Sequence, residues 1–269
     1  DSIDLLFKSQ CIFIASPTAT HFEYISKIIS KYNGYIFCEK PPCSSLIEVE
    51  KLSQLKIREK ERLYFNFNYR FTELSKLSKK ALSQKSYGSL ISLEFSSSHG
   101  MAFQSSYKKN WRNTSSSILE NIIGNVGIHY IDLVNYLVNE TRITSINTLK
   151  VSKNSKLIDT ALINIASREC LPISIFLSYA APFQNTAKIT FSDAIIELSN
   201  GKLSLSSPRD TFDSNGLFKP PEKQILNEFD GSRDYYNQSL VESIKFFINQ
   251  VNDKNKLNTN DFNCSIKTA

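Results

Sequence analysis

The sequence predicts an α/β fold: a partial, doubly wound parallel sheet followed by an α+β domain with a mostly antiparallel open sheet. Three observations carry that prediction. Residues 10–70 alternate short apolar runs with amphipathic helical stretches, in the order of a βαβαβ unit. After Gly88 the apolar pattern switches to strict alternation in several successive segments. The length of 269 residues, 41% of them hydrophobic and 22% charged, suits a globular chain that buries a substantial core in one or two domains.

Residues 10–15 are continuously apolar after Gln10, as expected of a parallel strand covered on both faces. Pro17 ends that run, and Thr20 with Glu23 has the spacing of a capping box. Phe22, Ile25, Ile28 and Ile29 then follow at helical spacing, and Asn33-Gly34 predicts a left-handed close to the helix. Tyr35, Ile36, Phe37 and Cys38 form the next strand. A second capping box, Ser45 with Glu48, opens a helix running to about Leu55. In residues 63–70, Leu63, Phe65, Phe67 and Tyr69 face one way and Tyr64, Asn66, Asn68 and Arg70 the other. A helix rich in Leu and Lys ends near Ser86.

The alternating segments beyond Gly88 are residues 89–96, 143–151, 157–166, 171–179 and 187–198. A long polar loop is expected over 97–117, a helix over about 127–138, a loop over 206–230, and an amphipathic helix over 235–250. The domain boundary is placed at residue 70, giving domains of 1–70 and 71–269. Residues 1–8 read as a short helix, and 260–269 as the start of a terminal one.

The formal charge of +6 is spread along the chain without a dense basic run, which argues against nucleic-acid binding. The five cysteines, an odd number, include no Cys-x-x-Cys pair, so neither a disulfide framework nor a metal site is expected. No apolar stretch approaches the roughly 18 residues of a membrane span, and no basic secretory start is present. These features fit a reducing cytoplasm.

Glu39-Lys40-Pro41-Pro42 lies at the carboxyl end of a buried strand, because two prolines cannot continue the ladder. In open α/β sheets ligands bind at that rim. This motif resembles the signature of the Gfo/Idh/MocA oxidoreductases. Ala15-Ser16-Pro17-Thr18-Ala19-Thr20-His21 is similar to a strand-to-helix loop of that family, and Phe67-Asn68-Tyr69-Arg70-Phe71 to the strand closing its nucleotide domain. Gly127-Ile128-His129-Tyr130-Ile131-Asp132 resembles its His-x-x-Asp helix, and Trp111-Arg112 a pair found in many members. Order and spacing agree from about Leu5 to Asn139.

The resemblance implies a Rossmann-like first domain, a second domain that binds substrate and builds homo-oligomers, and hydride transfer between NAD or NADP and a sugar, polyol or nucleotide sugar. It implies catalytic roles for Lys40, His129 and Asn125. Cofactor contacts would come from Ser16, Pro17, Thr18, His21, Glu39, Lys40, Pro41, Trp111 and Arg112. Substrate contacts would come from Lys40, Tyr69, Asn125 and His129. Lys40 would supply a cation near the developing alkoxide, and His129 would carry the hydroxyl proton. On a regular helix Asn125, His129 and Asp132 share a face, so Asn125 or Asp132 would orient the imidazole. His99, in the long loop, is a further substrate candidate.

Three departures from the family pattern stand out. Asn125 occupies a position where many members carry Asp, and an amide cannot act as a base. Residues 115–121, usually glycine-rich there, contain no Gly. The Gly-x-Gly-x-x-Gly loop that normally receives the pyrophosphate is also absent from these residues. The expectation is therefore a fragment of a longer gene product, without the first strands of the sheet. The alternative is a non-catalytic remnant acting as a binding or interaction protein.

Overall fold

A computed structural model describes residues 5–114, 121–138, 140–209 and 211–269, with the side chains of Ser232 and Arg233 outside the description. The first elements are β1 (Cys11–Ile14), α1 (His21–Ile28), β2 (Tyr35–Glu39), α2 (Leu46–Ser53), α3 (Ile57–Lys60), β3 (Leu63–Asn66) and α4 (Glu73–Gln84). There follow β4 (Leu90–Ser98), α5 (Trp111–Thr114), α6 (Ile128–Leu137), β5 (Thr141–Leu149), β6 (Thr160–Ser167) and β7 (Pro172–Ser178). The last are β8 (Gln184–Phe191), β9 (Ile195–Ser199), β10 (Lys202–Ser206), β11 (Lys223–Glu228), α7 (Gly231–Asn252) and α8 (Thr259–Thr268). Two compact units result: residues 1–68 with 239–269, and residues 69–238. The sequence boundary at residue 70 sits close to the first division, but the C-terminal segment packs with the first unit.

In the first unit β1, β2 and β3 form a parallel sheet in sequence order, with Phe13 beside Phe37 and Phe37 beside Tyr64. Neighbouring strands place Phe37 and Tyr64 on one face, where Phe247 of α7 packs 5.3 and 5.6 Å from their rings. Phe65 points the other way and meets Phe262 of α8 at 5.6 Å. β2 is thus covered on both faces and reads as an apolar run, whereas Phe13 of β1 stays 46% exposed.

That cover corrects the expected strand over 63–70. The ladder ends at Asn66, residues 68–71 form a 3-10 turn, and Asn66 is itself buried. Its amide donates to Glu39 Oε1 at 2.8 Å and accepts from Ser243 Oγ at 2.7 Å, so the polar face is paired with α7 rather than solvated. The helix caps differ in the same way. Ser45 Oγ accepts from Glu48 N, while the Glu48 carboxylate accepts from Ser44 N. Thr20, expected to cap α1, instead donates its hydroxyl to Ser16 Oγ and Pro17 O. Gly34 is not left-handed; it is required because a Cβ there would lie 2.4 Å from the Tyr32 ring and 2.5 Å from Gln10 O.

The second unit is built on an eight-stranded sheet ordered β11-β10-β9-β8-β4-β7-β6-β5, in which only β4 and β7 run parallel. Alternate residues of β4, β6, β7 and β8 (Leu93 and Phe95, Ala161 and Ile163, Ile175 and Leu177, Ala187 and Ile189) enter one core with Leu133 and Val134 of α6. The single segment expected over 187–198 is two strands, because Ser192-Asp193 turn between β8 and β9. The loop expected over 206–230 contains β11, an exposed strand paired with β10. In the loop expected over 97–117, residues 97 and 98 complete β4, and residues 100–114 form a series of 3-10 turns ending in α5. The stretch 115–120, whose lack of glycine marked a departure, and residues 1–4 of the expected helix over 1–8 lie outside the described residues.

Candidate functional site

The first unit carries Ser16, Pro17, Thr18, His21, Glu39, Lys40 and Pro41 on the segments that leave the carboxyl ends of β1 and β2, whereas Trp111 and Arg112 lie in the second unit. A sharp turn follows β1, since Thr20 N and Oγ1 both donate to Pro17 O, at 2.9 and 2.8 Å. His21 opens α1 and is only 1% exposed. Its Nδ1 lies 2.7 Å from Pro41 O and its Nε2 lies 2.8 Å from Ser16 O. One imidazole therefore spans the Ser16–Thr18 segment and the Glu39–Pro41 segment. Because both partners are carbonyl oxygens, both contacts are hydrogen bonds only when each ring nitrogen carries a hydrogen.

On the β2 side, Glu39 is fixed by Asn66, and through it by Ser243, whose hydroxyl lies 2.6 Å from Tyr64 Oη. Lys40 follows, half-buried, and its bond to Pro41 is cis. Cys38 and Cys43 are buried beside this rim. Burial, then the charges of Glu39 and Cys43, hold the Cys38 thiol well above its ordinary range; burial, then the Glu48 charge, pushes Cys43 up to about 12. Both thiols are protonated and unreactive at neutral pH.

In the second unit, Tyr69 lies face to face with His129, ring centroids 4.3 Å apart, and with Tyr236 on its other side at 4.5 Å. Tyr236 Oη donates to Asn185 Oδ1 at 2.7 Å and lies 3.0 Å from Tyr130 Oη. Burial raises the phenols of Tyr69 and Tyr236 well above their usual values, so they remain neutral hydrogen-bonding groups. Beside this stack Arg70 donates Nε and Nη2 to the two oxygens of Asp132, at 2.8 and 2.5 Å, with Asp132 wholly buried. Such a bidentate pair fixes the helix that carries His129.

Asn125 does not sit in a regular helix. Residues 123–127 form a π turn before α6, a feature often found at functional sites, so α-helical spacing from Asn125 to His129 does not hold. Gly127 allows this turn to pack closely: a Cβ there would lie 2.8 Å from Leu177 Cδ1. Asn125 Nδ2 donates to Tyr179 Oη at 2.9 Å. Asn125 and Asp132, expected to orient the imidazole, are thus engaged with Tyr179 and Arg70.

Tyr179, at the end of β7, is the residue that sequence reasoning missed. His99 stacks on it at 5.1 Å, and burial raises its phenol while Asn125 and Arg112 act in the opposite direction. Its only sequence signal is an aromatic side chain at a strand terminus. Burial lowers the His99 pKa, and the Arg112 charge adds to that effect. The Arg112 guanidinium lies 4.2 Å from the ring of Trp111, itself half exposed. Among the described residues no His, Cys, Asp and Glu cluster could hold a metal ion. Among them, too, no helix is long and apolar enough to cross a membrane.

Comparison with known proteins follows the same division. Residues 1–67 match the family model for the Gfo/Idh/MocA "oxidoreductase family, NAD-binding Rossmann fold". A glucose-6-phosphate 3-dehydrogenase of Bacillus subtilis (strain 168) is 28% identical over 154 residues, which is 57% of this chain and 43% of that protein. The match thus spans less than half the length of that curated relative. A levoglucosan dehydrogenase solved with NADH and levoglucosan superposes with a TM-score of 0.74 at 18% identity, over 98% of this chain and 77% of its own. A myo-inositol 2-dehydrogenase of Lactobacillus plantarum gives 0.73 at 16% identity, over 100% of this chain and 78% of its own. At these identities the structural likeness establishes the fold.

Proposed function

We propose that the chain, whose residues 1–67 match the Gfo/Idh/MocA oxidoreductase family with its NAD-binding Rossmann fold, serves a cytoplasmic homo-oligomeric dehydrogenase of that sugar and polyol dehydrogenase type. The proposed reaction oxidises a hydroxyl carbon of a sugar, polyol or nucleotide sugar, with NAD or NADP supplying the hydride acceptor. Three of the chain's own groups act in this reading. Lys40 places an ammonium beside the oxygen that gains charge, His129 accepts the hydroxyl proton, and Asn125 holds a substrate hydroxyl. Ser16, Pro17, Thr18, Glu39 and Pro41 form the cofactor rim, and Trp111 and Arg112 add cofactor contacts. His21 belongs to the same cofactor rim in this reading, and its two ring-nitrogen contacts support a part in positioning it.

The observation that carries this reading is the braced rim itself. Glu39, Lys40 and Pro41 leave the carboxyl end of a buried parallel strand, and His21 ties them to the Ser16 segment, all within the stretch that matches the family. The experiment is a titration of NADH and NADPH, followed by nicotinamide fluorescence, with turnover assays on aldose phosphates, inositols and nucleotide sugars. Lys40→Ala is expected to lower turnover by about 10²–10⁴-fold, the range for a positioned proton or charge carrier. Near-normal turnover in that variant overturns the assignment, and no cofactor binding at all favours a non-catalytic remnant.

A further inference from the structure

A groove in the second unit lies along α4 and reaches Tyr136 of α6. Its volume is 370 Å³, inside the roughly 300–1,000 Å³ span of small-molecule sites. Arg70, Lys76, Lys79 and Lys80 line it, and no carboxylate does. Lys76 and Arg70 have partners in Glu73 and Asp132. Lys79 and Lys80 form no ion pair among the described residues. Like charges three and four positions apart on one helix repel, so Lys76, Lys79 and Lys80 together are unfavourable without an anion.

Two features make this more than a solvated lysine face. Lys79 is held in place, its Nζ 3.3 Å from the centroid of the Tyr136 ring, which removes part of the ordering cost of binding. Ser75 lies in the wall of the groove, fully buried, and its Oγ has no hydrogen-bond partner among the described residues. Buried hydroxyls are normally paired, and a ligand oxygen would complete this one.

We propose that this groove binds a phosphate dianion, either free or carried on a small ester, through Lys79, Lys80 and the Ser75 hydroxyl. A compact oxyanion offers several acceptors at once, matching ammonium and hydroxyl donors that face one space. The site is separate from the dehydrogenase reading and does not depend on it.

The test is calorimetric titration of inorganic phosphate and of glycerol 3-phosphate into the whole chain at constant ionic strength, with amide shifts followed by NMR. Saturable binding is expected, with shifts concentrated on residues 75–83. The double variant Lys79→Gln, Lys80→Gln should weaken it at least tenfold without lowering the phosphate-free melting temperature. Ser75→Ala should weaken it by a smaller factor, and Lys80→Gln alone serves if the double variant does not fold. Tighter binding of glycerol 3-phosphate identifies an ester site, and tighter binding of phosphate a free-ion site. The proposal is overturned if neither ligand saturates, if sodium chloride competes equally, or if the variants bind as the native chain does.

Discussion

Tyr69 and His129 lie with their ring centroids 4.3 Å apart and their planes within 17° of parallel. The imidazole's orientation is therefore set by an aromatic plate that is itself backed by Tyr236. Stacking of this kind contributes about 0.5–1.5 kcal/mol beyond area burial. Tyr69→Ala is expected to lower kcat/KM by about threefold to tenfold from the lost stack alone. Tyr69→Phe, which keeps the plate, should retain most of it. Equal losses in both variants would show that the hydroxyl matters and the stack does not.

His21 provides a second test. Replacing it with Leu leaves the Pro41 and Ser16 carbonyls without their ring-nitrogen partners in a buried place. Each unsatisfied group costs about 1–3 kcal/mol. His21→Leu should lower the urea midpoint and weaken NADH binding, while turnover at saturating cofactor changes less. A variant with unchanged cofactor affinity and a reduced kcat would contradict a positioning role.

The Arg70–Asp132 pair should respond asymmetrically. Arg70→Ala strands a buried carboxylate and is expected to destabilise the fold by about 3–5 kcal/mol. The double replacement Arg70→Met, Asp132→Leu removes both charges and should cost far less. Chemical denaturation of the three proteins decides it; a double variant as unstable as the single one would mean that the pair's geometry, not its charge balance, holds α6.

Thiol chemistry offers a check on the rim. The Cys43 thiol is pushed up to about 12, so at pH 8 it stays protonated, and Cys38 does so for the same reason. Cys170 is exposed between β6 and β7, within reach of reagent. Iodoacetamide at pH 8 followed by peptide mass spectrometry should modify Cys170 first and Cys38 and Cys43 only on unfolding. Rapid labelling of Cys43 in the folded chain would show that the rim opens.

Most of the architecture was legible because the period of the apolar residues differs so clearly between the two halves. Tyr35–Glu39 begins as a continuous apolar run because both its faces are covered, and β4, β6 and β7 alternate because they present one face to the core. The errors came where local pattern lost to tertiary pairing. Asn66 reads as a solvent-facing residue until Ser243, far away in sequence, is seen to bond it. The hairpin between β9 and β10 turns at Asn200-Gly201, both with positive φ, and most of its second strand falls in the gap between the segment expected to end at residue 198 and the loop expected from 206. Tyr179 was not legible at all, since its partners Asn125, Arg112 and His99 come from segments spread over about 80 residues of chain.

The first unit is stitched from both ends of the chain, with about 170 residues between Asn68 and Ser239. During synthesis at about 5–20 residues per second, its three strands wait on the order of ten seconds or more for Phe247 and Phe262 to emerge. Until then the Phe13, Phe37 and Phe65 rings have no C-terminal helix to meet. The nascent chain therefore carries sticky parallel strands for longer than it takes to make them, and a chaperone's hold on that segment would be more useful than one on the later sheet.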